Sequence, residues 1–161
     1  MKKLDISITL DVFDSVDALP DTIQELMQSA KQARDRAYAP YSSFKVGSSI
    51  ELANGVIVQG NNQENAAYPS GLCAERVAVF YAGATYPGVA IKNIAITVRS
   101  LNHTVVIPTP PCGSCRQVLA EYEVNQDQPI QVYFMGETGK VVRSNSVKDL
   151  LPLIFDSTFL K

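Results

Sequence analysis

Cysteine is scarce in this chain, its basic residues are scattered, and long apolar runs are missing. Each absence removes a class of protein. Three cysteines in 161 residues, two of them in one Cys-x-x-Cys, do not make the disulfide framework of a small secreted domain. No apolar run approaches the roughly 18 residues needed to cross a bilayer. After Met1-Lys2-Lys3 the chain meets Asp5, Asp11, Asp14 and Asp17, with no apolar signal-peptide core. Fourteen Lys and Arg against sixteen Asp and Glu leave a net charge of −2, and no basic cluster follows a phosphate backbone, so a polymeric nucleic acid is not an expected partner. No repeat, low-complexity tract or interdomain linker is evident. The expectation is a cytoplasmic protein with reduced thiols and no membrane association. It should form one domain over 1–161, with 1–20 as an N-terminal extension.

The remaining sequence alternates between two periodicities. In the extension Ile6, Ile8 and Leu10 alternate with polar residues, which permits a short edge strand. Pro20-Asp21 opens an amphipathic helix over 21–38, with Asp21 as N-cap and Ile23, Leu26, Met27, Ala30, Ala33 and Ala37 on one face. Phe44, Val46, Ser48 and Ile50 alternate along a strand, Ala53-Asn54-Gly55 turns, and 56–58 begins the return. Residues 60–71 are rich in turn formers and read as a loop. Then come a helix over 72–84, a buried strand over 91–98, a loop over 100–111, a helix over 113–122, strands at 130–135 and 139–142, and a helical turn at 147–151. Strands alternating with helices after a hairpin imply an α/β fold with a mixed sheet covered by helices.

The chemistry lies in two short motifs that use every cysteine: Cys73-Ala74-Glu75-Arg76 and Pro111-Cys112-Gly113-Ser114-Cys115-Arg116. Three thiolates can hold zinc and leave its fourth tetrahedral position for water, whose protons a nearby glutamate can move. One thiolate with a carboxylate two residues on, followed by Cys-x-x-Cys, is a pattern of the zinc nucleobase deaminases. Each part alone has a plainer reading. Cys112 and Cys115 could be a redox pair or half of a structural zinc site, Cys73 a small buried apolar residue, and Glu75 an ordinary first-turn glutamate. The sole histidine, His103, reads as a surface loop residue; as a fourth ligand it would make the site structural. Both motifs fall where loops enter helices, whose unpaired N–H groups and partial positive charge stabilise thiolates. Zinc with three thiolates carries a net −1, which weakens it as a Lewis acid, and Arg76 donating to sulfur would offset that. Arg116 reads equally as a surface arginine.

With Ala39-Pro40-Tyr41-Ser42-Ser43-Phe44-Lys45-Val46-Gly47, Glu64-Asn65-Ala66-Ala67-Tyr68 and Asp149-Leu150-Leu151-Pro152 added to those motifs, the chain resembles the small homotetrameric cytidine deaminases that act on free nucleosides. The likeness runs over roughly residues 22 to 155. It implies a three-layer α/β/α fold with a five-stranded mixed sheet, zinc as the only cofactor, and a homotetramer with shared active sites. It implies zinc on Cys73, Cys112 and Cys115, and Glu75 as proton shuttle for attack of zinc-bound hydroxide at C4 of cytidine or deoxycytidine. Asn62 and Glu64 would hold the ribose, the backbone of Ala74 would meet the pyrimidine, and Phe44 would pack on the nucleoside. Tyr68 and Phe155 would help build a neighbour's pocket. Another aminopyrimidine nucleoside, such as blasticidin S, and a catalytically inactive zinc-binding homologue are the alternatives. The segment before residue 22 and the 100–111 loop are longer than the family pattern, and Asn61 stands where many relatives have cysteine.

Overall fold

A computed structural model describes residues 1–160. The chain runs β1 (Asp11–Phe13), α1 (Asp21–Asp35), β2 (Phe44–Leu52), β3 (Ile57–Asn61), α2 (Ala74–Thr85), β4 (Ile91–Ser100), α3 (Gly113–Val124), β5 (Gln131–Met135), β6 (Val141–Ser144) and α4 (Val147–Leu150). All six strands join one sheet in the order β1-β6-β5-β4-β2-β3. Among the strands of the described residues only β4 and β5 pair in parallel, and α3 makes the crossover that a parallel pair requires.

The five-stranded expectation is therefore corrected to six. The extra strand comes from the N-terminal extension, but it begins just after the Ile6–Leu10 alternation: Asp11, Val12 and Phe13 pair with Arg143, Val142 and Val141 of β6. Long-range pairing and the Asp11–Arg143 ion pair (2.7 Å) select that register, and neither is a local property of the sequence. Asp21 is likewise the first helical residue and Pro20 the N-cap, a position at which proline's missing N–H costs nothing.

Period-two alternation explains the layers. Ile94 and Ile96 of β4 and Val132 and Phe134 of β5 face a core built with Ala78, Val79 and Ala82 of α2, Leu119 and Ala120 of α3, and Val147 and Leu150 of α4. Ala95, Tyr133 and Met135 face the other way, onto Ile23, Leu26, Met27 and Ala30 of α1. The α/β/α layering is thus as expected. Fully buried Leu26 and Met27 each contribute about 1.5–3 kcal/mol through removal of apolar surface from water.

Two glycines set the distance between layers. At Gly47 a Cβ would stand 2.0 Å from the Ala30 carbonyl oxygen, so α1 rests directly on β2. At Gly60 a Cβ would stand 2.4 Å from the Ala74 carbonyl oxygen and 2.5 Å from the Ala78 nitrogen, so α2 rests on β3. Ser48 pairs with Gly60 across the ladder, and the two contacts lie on opposite faces of one hairpin. The second seats the helix that begins with Cys73-Ala74-Glu75.

Candidate active site

Cys73 and Cys112 are the N-caps of α2 and α3, both with extended backbone, and Cys115 lies in the first turn of α3. Their carbonyls accept the first helical bonds, from Val77 N–H and Arg116 N–H, each at 3.0 Å. The two helix starts converge. All three Sγ atoms lie within 4.8 Å of one another, with Cys73 and Cys112 at 3.9 Å, and all three are free thiols. Tetrahedral zinc with sulfur at about 2.3 Å places its ligands roughly 3.8 Å apart, so this donor set fits zinc. His103 stands outside the group and pairs its Nδ1 with Ser100 Oγ at 3.3 Å. It lies on the exposed loop, as expected.

The protonation chemistry agrees. A hydrogen bond from Cys115 lowers the Cys73 pKa to about 5 against the opposing effect of burial, and a further bond from Arg76 Nη2 at 3.7 Å assists. Cys115, the donor in that pair and buried, is held far above the ordinary thiol range. Three sulfurs this close cannot all be thiolates by themselves; a divalent cation removes the conflict. Glu75 is 4% exposed, and burial, reinforced by the Cys73 charge, raises its carboxyl to about 7. A carboxyl poised near neutrality is suited to taking and returning a proton.

In front of the sulfurs lies a cavity of about 530 Å³. Its wall brings together Cys73, Cys112, Glu75 and Arg76 with Phe44, Asn62, Glu64 and Tyr68. Ala74 is fully buried at the start of α2. Phe155 does not line this cavity. It is 57% exposed and stacks on Phe159, with ring centroids 5.6 Å apart. Tyr68, on the rim, is 81% exposed.

Asn62 and Glu64 do more than the sequence indicates. Asn62 Oδ1 accepts from Val46 N–H (2.7 Å) and its Nδ2 donates to the Phe44 carbonyl (3.0 Å), fastening the β3 exit to β2. Glu64 accepts from the Tyr41 and Ser42 amides (2.9 and 3.2 Å) and from the Ser42 hydroxyl. Partial burial acts to raise the Glu64 pKa, but these bonds outweigh it and hold the carboxyl below its ordinary range. They brace the turn at Ser43 (φ 55°) that delivers Phe44 to the cavity. Ser42, Thr109 and Pro110 also line the wall. Sequence pattern alone misses them, because each is an ordinary loop residue until distant segments meet.

Comparison with known proteins bears on this arrangement. The family model for the cytidine and deoxycytidylate deaminase zinc-binding region matches residues 20–128. A cytidine deaminase of Halalkalibacterium halodurans is 39% identical over 134 residues, which are 82% of this chain and 92% of that protein. One from Sporosarcina psychrophila is 37% identical, over 83% of this chain and 90% of its own length. The crystal structure of cytidine deaminase from Burkholderia pseudomallei superposes with a TM-score of 0.70 at 39% identity, covering 81% of this chain and 97% of that one. That from Mycobacterium tuberculosis gives 0.64 at 30% identity, covering 83% and 96%.

Proposed function

This chain belongs to the cytidine deaminase zinc-binding family, and on that premise we propose that it hydrolyses cytidine and deoxycytidine to uridine and deoxyuridine with release of ammonia. The observation that carries the proposal is a cluster of three sulfurs, two of which line a nucleoside-sized cavity together with the buried carboxyl of Glu75. Cys73, Cys112 and Cys115 would hold zinc. When bound, zinc supplies Lewis acidity that brings the pKa of water toward neutrality.

Glu75 does the proton work. Its carboxylate takes a proton from the attacking water and delivers it to N3 of the ring, which leaves C4 electron-poor. After oxygen has bonded to C4, the carboxylate takes the remaining hydroxyl proton and passes it to the exocyclic amine; the C4–N bond breaks to release ammonia as the C4 carbonyl forms. Arg76 donates to the Cys73 sulfur and offsets the negative charge of three thiolates. The Ala74 backbone meets the pyrimidine and Phe44 packs on the nucleoside. Asn62 retains a second amide hydrogen, and Glu64 retains lone-pair capacity, for the ribose hydroxyls. Binding the sugar remote from C4 orients the ring for attack.

The exposed tail supports a homotetramer with shared sites. Leu153, Phe155, Phe159 and Leu160 are all exposed, and burying them against a neighbouring chain would bring Phe155 to that chain's cavity, while Tyr68, on the rim of its own cavity, would reach the neighbour's site across the same interface. The activity is tested by the ultraviolet change of cytidine, with deoxycytidine, blasticidin S and adenosine in parallel. Loss of the cytidine and deoxycytidine bands is the expected result. Turnover of blasticidin S alone, or of nothing by zinc-loaded protein, would overturn the assignment. Light scattering before and after truncation at Leu150 tests the assembly; a fully active monomer would refute it.

A further inference from the structure

Arg116 immediately follows Cys115 on α3 and directs its guanidinium at two main-chain carbonyls from separate parts of the chain. Nε donates to the Pro111 carbonyl at 2.7 Å, and Nη1 donates to the Leu150 carbonyl at 2.9 Å. Pro111 is the residue before Cys112. The main-chain N–H of Arg116 also donates to the Cys112 carbonyl, at 3.0 Å. One residue therefore holds the exposed Cys112 from both sides of its peptide, at the end of a long irregular loop. Leu150 is the last residue of α4, where a carbonyl has no partner within the helix, and the tail that carries Phe155 departs from it. The next α3 residue, Gln117, donates Nε2 to the Phe155 carbonyl at 2.7 Å.

We propose that Arg116 is a positioning residue that couples the Cys112–Cys115 pair to the C-terminal tail, so that metal occupancy and seating of the tail rise and fall together. A planar guanidinium is suited to this role because its donors are fixed in a fork, and one rigid group spans both carbonyls. Tightening the loop around bound metal fixes the Arg116 plane, and that plane fixes Leu150. A loosened loop frees the guanidinium and with it the root of the tail. Gln117 adds a second anchor farther along the tail. The inference rests on zinc binding by the three cysteines, and its test separates the two.

The test uses the zinc-loaded protein and Arg116→Met, which keeps an apolar stem and removes both donors. Hydrogen exchange is followed at residues 151–160 with and without a zinc chelator, under conditions where the buried Ile94–Val98 amides stay protected. In the native protein, chelation should speed tail exchange severalfold. In Arg116→Met the tail should exchange fast whether or not zinc is present. Zinc should also pass to a chromophoric chelator about tenfold faster than from the native protein, the lower end of the effect of losing an outer hydrogen-bonding partner. Arg116→Lys, which keeps the charge but can reach only one carbonyl at a time, should lie between and serves if the methionine variant does not fold. Gln117→Ala should loosen the tail without speeding zinc release. A native tail indifferent to zinc, or an Arg116→Met or Arg116→Lys protein that keeps the full native zinc-dependent tail protection, would overturn the coupling. Native protein that binds no zinc would instead overturn the metal reading beneath it.

Discussion

The two helices that carry the sulfurs are mounted differently. α2 is seated by backbone against backbone, with the first turn of the helix pressed onto Gly60 where no side chain could fit. The start of α3 is held by side-chain donors, with Arg116 reaching to Pro111 and Leu150. The α2 mount is close and inflexible, and it carries Glu75, the group whose position must be most accurate for proton transfer. The α3 mount spans longer distances and joins the site to the chain's end. One half of the site is located by contact, the other by tethers.

Glu75→Gln removes the proton acceptor that the contact-mounted helix carries. The variant keeps shape and hydrogen bonding but cannot accept a proton, so turnover should fall by at least about a hundredfold while zinc content and melting temperature hold. Steady-state kinetics beside metal analysis check it; near-normal turnover would remove Glu75 from the mechanism. Gly60→Ala strikes the contact mount itself. The added methyl must push the first turn of α2 off β3, costing about 1–3 kcal/mol or more, with activity falling further than stability alone explains. Denaturant midpoints and kcat, measured together, distinguish a displaced helix from a merely weakened fold.

Asn62→Ala sharpens the picture on the cavity wall. It leaves Val46 N–H without its partner and takes the shorter of two donors from the Phe44 carbonyl, for a cost of about 1–3 kcal/mol, and it should raise KM for cytidine more than it lowers kcat. An unchanged KM would confine Asn62 to bracing β2. The smallest effect is expected far from both mounts, at β1. The Arg143 hydrogen bond holds Asp11 below its ordinary pKa of 3.8. Because the folded value is depressed, the contribution is present above the unfolded value and is lost as pH falls through the folded one. Asp11→Asn should therefore lower the denaturant midpoint slightly near neutrality. The gap should close as pH drops below about 4 and shrink in high salt.

The legible part of the molecule is the part governed by local pattern. The Ile23–Ala33 stripe, the Phe44–Ile50 alternation and the two cysteine motifs each specify their element within a few residues, because periodicity and helix-start chemistry act over one or two turns. The ends of elements drift: β3 runs to Asn61, and α3 to Val124. The less legible parts depend on distant partners. Asp11–Phe13 becomes a strand because β6 offers an edge, and Gly60, locally a turn former, is in fact the seat of α2. Nothing near Asn62 in sequence announces that both ends of its amide will grip β2.

The β1–β6 ladder also orders events during synthesis. Asp11 and Arg143 are 132 residues apart, so β1 leaves the ribosome well before its partner strand exists. Until then, Asp11, Val12 and Phe13 travel as an unpaired strand-like segment, open to a chaperone or to another copy. A contact closed so late slows unfolding more than it speeds folding. Its value to the protein is then measured in lifetime: the ladder latches a sheet that has already formed.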